Sequence, residues 1–208
     1  SIVDDGSTDG TLEYLMELAS LDSRINLYQH HRQGVVFNIE FLLKQAQASY
    51  IFLSDQDDIW DSDKVDIILN YFQQHPNIDV VMTDLRVINH INELMYPSFC
   101  YERQCRLGFW PNLLKNSYIG CAMAFRKEAL DYILPFPKQI PMHDWWIGLI
   151  ASKYAKMDIL FRPTMSYRRH EDNVSEWRST TPWSQRFLWR WYLYKGILCR
   201  GKEFKHKI

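Results

Sequence analysis

The first 84 residues alternate short apolar runs with amphipathic stretches, and that rhythm restricts the folds open to the chain more than any other feature. Residues 1–3, 25–28, 50–53 and 79–83 read as strands, and residues 12–19, 34–48 and 62–74 between them as helices. Leu12, Leu15, Met16 and Ala19 fall on one helical face, as do Val35, Ile39, Leu42, Leu43 and Ala46 in the next helix. Pro76 ends the third. This order gives an α/β fold, a mostly parallel mixed sheet with helices on its faces. Right-handed crossovers put the loops at Asp4, Asp55 and Asp84 on one sheet edge. Three acid-tipped strand ends would then surround one crevice, where open α/β sheets bind ligands. Three unrelated surface loops are the alternative.

The most informative of these ends is YIFLSDQDDIWD, residues 50–61. Four apolar or aromatic residues, read as a central buried strand, run into Asp55, Asp57, Asp58 and Asp61. Asp55 and Asp57 are two apart in an extended segment, so they point the same way. Together they could hold a hard cation, Mg²⁺ or Mn²⁺, through oxygen. A solvated acidic loop that caps the next helix, with Asp61 or Ser62 as N-cap, is the competing reading.

Past residue 84 the pattern loosens. Residues 88–116 form a long excursion able to cover a site. Residues 118–125 read as a strand, 127–134 as a helix, 144–154 as another helix and 159–161 as a final strand. Asp144 opens its helix beside Trp145 and Trp146. It is either an N-cap next to a core Trp pair or a general base near aromatic walls, where partial desolvation raises a carboxyl pKa. His143 either orients a substrate or has no role. Arg168 and Arg169 suit a diphosphate or plain surface charge. His170 reads as a structural residue or a ligand, and Asp4, Asp5 and Ser7 as an Asp/Gly turn or a contact to a nucleotide base.

The motifs IVDDGSTDGT, SDQDDIW, HDWW and YRRHEDNVS occur in the order and at the approximate spacing of family 2 glycosyltransferases. Within that family the chain most resembles bacterial rhamnosyltransferase-like members of polysaccharide assembly, over residues 1–175. The resemblance implies a GT-A (Rossmann-like) three-layer sandwich and an inverting transfer of sugar from a nucleoside-diphosphate donor to a cell-surface or lipid-linked glycan. Asp4, with Asp5 and Ser7, corresponds to the base-reading loop, and Asn38 to a donor-side residue. Asp55 and Asp57 match the family's Asp-x-Asp pair, which serves the divalent metal and the ribose-diphosphate. Asp144 matches the catalytic base and His170 a histidine near the metal; Arg168, read from its own place after a strand, is the candidate donor contact. A nucleotidyltransferase or phosphatase, and a non-catalytic nucleotide-sugar-binding or membrane-associated module, are the other classes the acidic site allows. Three departures stand out. The family's first strand does not precede Ser1, Glu171 and Asp172 follow the last His, and Val35, Val36 and Phe37 follow Gly34.

Charge divides the chain into residues 1–181 and a tail, 182–208. The tail holds seven Lys and Arg against one acid, leaving 17 of 24 basic and 24 of 25 acidic residues for the body. A net charge of −1 argues against a dedicated nucleic-acid partner. In the tail, Phe187, Trp191, Tyr194 and Leu198 align on a helix with Arg186 and Arg190 beside them. Such a helix could lie on an anionic membrane or dock its stripe on the body. No run approaches the ~18 apolar residues of a membrane span. Four cysteines without metal spacing fit a reducing compartment. The expected location is the cytoplasm, at the cytoplasmic face of the inner membrane.

Overall fold

The computed structural model describes residues 1–169 and 181–205 of the 208-residue chain. The chain opens with β1 (Ile2–Asp4), α1 (Thr11–Leu21), β2 (Leu27–Gln29) and α2 (Val35–Gln45). Next come β3 (Tyr50–Phe52), β4 (Ile59–Trp60), α3 (Lys64–Gln74), β5 (Val80–Ile88) and β6 (Leu94–Tyr96). The excursion holds two short helices, α4 (Phe99–Arg103) and α5 (Phe109–Leu114). After a 3₁₀ turn at Gly120–Ala122 follow β7 (Met123–Arg126), α6 (Leu130–Ile133), α7 (His143–Tyr154), β8 (Met157–Arg168) and α8 (Trp183–Lys205).

The sheet is mixed. β1 and β2 pair in parallel as a two-stranded sheet, and a second sheet runs β3-β7-β5-β8-β4, with β6 added to β5. Its longest ladder is the parallel one between β5 and β8. β3, β4, β6 and β7 all join antiparallel, a larger antiparallel share than the sequence rhythm suggests. Tyr50–Phe52 is therefore an edge strand of this sheet, not a central one. A short apolar run looks the same in either pairing, and only the long-range partner, here β7, decides.

Period-two alternation builds three layers. Val80 and Met82 of β5 and Met123 and Phe125 of β7 face the main core, while Val81 and Ala124 between them meet Ile68 and Phe72 of α3 on the other face. On the main-core side lies α7. Trp145, Trp146, Ile147, Gly148, Leu149, Ile150 and Ala151 are all buried, so this helix is apolar all round, as a helix enclosed by protein must be. Around it pack Leu43 of α2, Phe109 and Leu113 of α5, Ile133 of α6, and Leu193 and Ile197 of α8. Each such side chain contributes about 1.5–3 kcal/mol by leaving water.

Asp84 is corrected by the structure. It sits within β5, buried, not at a strand tip. Its carboxylate accepts from the backbone N–H of Leu85 (2.8 Å) and Cys100 (2.9 Å) and from the Ser98 hydroxyl (2.5 Å), so it anchors the start of α4. The strand runs five residues beyond its expected end because β8 is long enough to pair with it as far as Ile88.

Gly148 lets α7 sit against Tyr118: a Cβ there would lie 2.0 Å from the ring. Tyr118 is itself buried and bonded to Ser152 (2.6 Å), so the ring has nowhere to retreat. Gly148→Ala is expected to lower unfolding free energy by about 1–3 kcal/mol, as overpacking does, despite the better helix propensity of Ala. Denaturant unfolding of the two proteins measures it.

Candidate active site

Three loops carry the candidate residues. In the β1 loop, Asp4 is buried and its carboxylate is turned onto its own backbone. It accepts from the N–H of Gly6 and Ser7 (both 3.1 Å) and from the Ser7 hydroxyl. That hydroxyl, followed by the two N–H groups, holds its pKa below the ordinary range against burial. Asp5 reaches across to the next loop and accepts from the N–H of Gln33 and Gly34 (both 2.8 Å) at the start of α2. The same bonds lower its pKa, the Gln33 N–H most. Asn38, buried one turn into α2, takes the His30 ring nitrogen at 2.7 Å and also bonds Asp5. Asp4, Asp5, Ser7 and Asn38 thus form one connected loop structure around β1 and β2.

The acidic loop between β3 and α3 is a second unit. Asp55, Asp58 and the Cys121 thiol bring ligand atoms within 4.8 Å of one another. Burial first, and then the charges of Asp58 and Asp57, push Asp55 up to about 6. Asp58 is also raised, by burial foremost, although it accepts from the Arg168 N–H at 3.1 Å. Its other oxygen, Oδ2, is buried with no hydrogen-bond partner among the described residues. Burial pushes the Cys121 thiol well up, so it stays protonated. Asp57, expected as the second metal ligand, lies outside this threesome but close enough for its charge to raise both neighbours. His170, the third expected ligand, falls outside the described residues. Arg168 ends β8 and clamps the loop, its Nε donating to the Asp57 carbonyl (3.0 Å) and its guanidinium to Asn92 (2.6 Å). Asp61 pairs with Arg86 and does not cap α3, whose N-cap position is Asp63.

Beneath this loop lies a residue the sequence reading passed over. Lys64 is almost fully buried at the start of α3. Its Nζ donates to the Cys121 carbonyl (3.1 Å), lies 3.0 Å from Met165 Sδ, and sits 4.1 Å from the Trp60 ring centroid. Burial pulls its pKa down to about 8, while Cys121, Asp58, Asp61 and Asp55 hold it up. In sequence it looks like one more charge on a solvated face. The only signal of its role is its place one turn after four acids.

The third unit is the start of α7. Asp144 accepts from the Trp145 N–H and from Gly120, yet crowding of its carboxyl, together with the charge of Asp55, raises it to about 7. Asp55 and Asp144 therefore share one electrostatic site. His143 beside it is buried, which lowers its pKa to about 4 and holds it neutral, and its Nδ1 has no partner among the described residues. Gly120 makes room for this: a Cβ would lie 2.5 Å from His143 Nε2 and 3.4 Å from Asp144 Cβ. The turn that carries the Lys64 acceptor thus also seats the candidate base.

The donor set fits a hard divalent cation. Three carboxylates repel one another against a single buried ammonium, one carboxylate oxygen is unpartnered, and Mg²⁺ or Mn²⁺ takes oxygen ligands. Asp55 and Asp58 would hold it, with the protonated thiol as a neighbour.

Comparison with known proteins finds a family and several relatives. A family model described as Glycosyl transferase family 2 matches residues 1–134. The dTDP-rhamnosyl transferase RfbG of Shigella flexneri is 29% identical over 203 residues, covering 83% of this chain and 63% of that protein. A UDP-Glc:α-D-GlcNAc-diphosphoundecaprenol β-1,3-glucosyltransferase, WfgD of Escherichia coli, is 28% identical over 191 residues, 85% of this chain and 71% of its own. Among solved structures, S. aureus TarS in complex with UDP-GlcNAc superposes with a TM-score of 0.62 at 18% identity, over 82% of this chain and 49% of that one. The mannosyltransferase PcManGT of Pyrobaculum calidifontis, with GDP-Man and Mn²⁺, gives 0.55 at 18%, over 80% and 46%. The chain spans 63% of the Shigella relative's length and about half of these structural neighbours.

The depressed Lys64 pKa has a thermodynamic signature. A lysine that loses its proton more easily folded than unfolded binds fewer protons in the native state between about 8 and 10.5, so its contribution to stability rises with pH across that window. Wild type is therefore expected to gain stability relative to Lys64→Met between pH 7.5 and pH 10 in urea titrations. A constant difference would place the ammonium in water.

Proposed function

We propose, because the chain belongs to glycosyl transferase family 2, that it is an inverting transferase of a nucleoside-diphosphate sugar to a cell-surface or lipid-linked glycan. The observation that carries this is the turn at Gly120–Ala122, whose Cys121 thiol lies with Asp55 and Asp58 and whose Gly120 abuts His143 and Asp144, so that a candidate base and a candidate diphosphate site share one turn. The rhamnosyl and glucosyl relatives support a thymidine- or uridine-diphosphate donor, with rhamnose the first sugar to test.

In this reading the acceptor hydroxyl attacks the anomeric carbon while Asp144 takes its proton. The carboxyl raised to about 7 makes Asp144 a stronger base than an ordinary aspartate. The bond to the nucleoside diphosphate breaks on the opposite side, so a single displacement inverts the carbon. A retaining double displacement would use a second carboxyl about 5–5.5 Å from the first as nucleophile. Mg²⁺ or Mn²⁺ supplies charge neutralisation for the leaving diphosphate. Asp55 and Asp58 would hold it, with Asp57 and His170 as further candidates. Arg168 fixes the loop's backbone, and the Asp4, Asp5, Ser7 and Asn38 assembly forms the wall beside the donor's base. The four free thiols suit a reducing compartment, and we place the reaction at the cytoplasmic membrane face.

Asp144→Asn keeps the shape and removes the base. It is expected to cut kcat by about 10²–10⁴ with donor affinity by calorimetry unchanged. In the wild type, kcat/KM is expected to rise with pH through about 7 as the carboxyl ionises. Undiminished transfer by the variant removes Asp144 from the mechanism. Donor binding with no transfer by wild type, under any acceptor, favours a binding module.

A further inference from the structure

α8 carries two apolar stripes on neighbouring sides, and the body of the protein covers only one of them. On the inner side Leu193 and Ile197 are buried in the core. Arg190 donates to the carbonyls of Leu113 and Leu114 at the end of α5, Arg200 to those of Leu134 and Pro135, and the Tyr154 hydroxyl to that of Ile197 (2.9 Å). These contacts fix the helix without help from its outer side. On that outer side Trp183, Phe187 and Trp191 follow at four-residue steps with Leu198 about two turns further along, a single stripe by helical spacing. Trp183 is 78% and Phe187 71% exposed. Alongside, α5 exposes Trp110 and Leu114, and Trp110 reaches Tyr194 at the border of the stripe, ring centroids 6.1 Å apart.

An apolar face this large on the surface marks an interaction site. We propose that the outer stripe of α8, joined by the exposed end of α5, docks on the headgroup region of an anionic lipid bilayer. Two observations select this occupant. First, the exposed residues are chiefly Trp and Phe, and amphipathic aromatic rings such as Trp favour the interface between hydrocarbon and water. Second, the charge is complementary: Arg186 lies over the Trp183 ring, and Lys195 and Lys202 are exposed, whereas Arg190 and Arg200 are bonded to the body. A second copy fits less well, because a two-fold contact brings a face and its own cations together. No described helix is long and apolar enough to cross a membrane, so the contact is peripheral. This extends the acceptor part of the proposed function but does not need it, since binding can be read without donor, metal or acceptor.

The test is sedimentation of the 208-residue chain with vesicles of phosphatidylethanolamine containing about 30 mol% phosphatidylglycerol, against pure phosphatidylcholine vesicles. Binding to the anionic vesicles alone is expected, weakened by 0.5 M salt and accompanied by a blue shift of Trp emission. The variant Trp183→Ala/Phe187→Ala/Trp191→Ala, with unchanged circular dichroism, is expected to bind about tenfold more weakly or worse. Arg186→Gln/Lys195→Gln/Lys202→Gln should lose binding while keeping the aromatics. No binding to either vesicle, binding that the aromatic variant retains, or a concentration-dependent dimer that the aromatic variant abolishes would each overturn the proposal.

Discussion

Much of the site depends on one buried charge. Lys64 is the cation in the body of the protein that an acidic loop folds onto, and it is held by a carbonyl, a sulfur and an aromatic face. Burying an ammonium is costly unless it is paired and bonded, and its lowered pKa records that cost. In return it joins elements far apart in sequence: α3, the turn at Gly120–Ala122 and β8. That turn seats His143 and Asp144, and the end of β8 clamps Asp57 and Asp58. Removing the charge would therefore disturb the acids and the candidate base together.

The charge arithmetic gives the site its direction. Asp55, Asp57 and Asp58 outnumber the lysine: burial, and then their mutual repulsion, raises Asp55, and burial, with the charge of Asp55 added, raises Asp144. A divalent cation and a diphosphate would arrive as a nearly balanced pair, the cation relieving the carboxylates and the diphosphate replacing the charge. The same acids suit this chemistry for a general reason: strand ends and short turns hold carboxylates in place before a ligand comes, which lowers the reorganisation needed on binding.

How much of this was legible in the sequence depends on the range of the interaction that fixes each part. The helices α1, α2, α3 and α7 were readable because periodicity is local, and the family resemblance located Asp55 and Asp144. Pairing was not. Tyr50–Phe52 looks like a central parallel strand until β7, more than 70 residues later, takes it antiparallel. Asp84 looks like a strand-tip acid until Ser98 and Cys100 claim both its oxygens. Lys64 and Cys121 are ordinary residues in sequence and become part of the site only through contacts 57 and 101 residues away along the chain from Lys64. For α8, the aromatic stripe was visible, but only packing shows that a separate face does the docking.

The central claim is that the Asp55 loop and Asp144 form one electrostatic site. The most direct measurement is the titration of the Asp144 carboxyl, followed by carbon NMR of aspartate-labelled protein and assigned with Asp144→Asn. It should titrate near 7 in the wild type and move down in Asp55→Asn, where a neighbouring negative charge is gone. An Asp144 that titrates near 4 and does not respond to Asp55→Asn would contradict it.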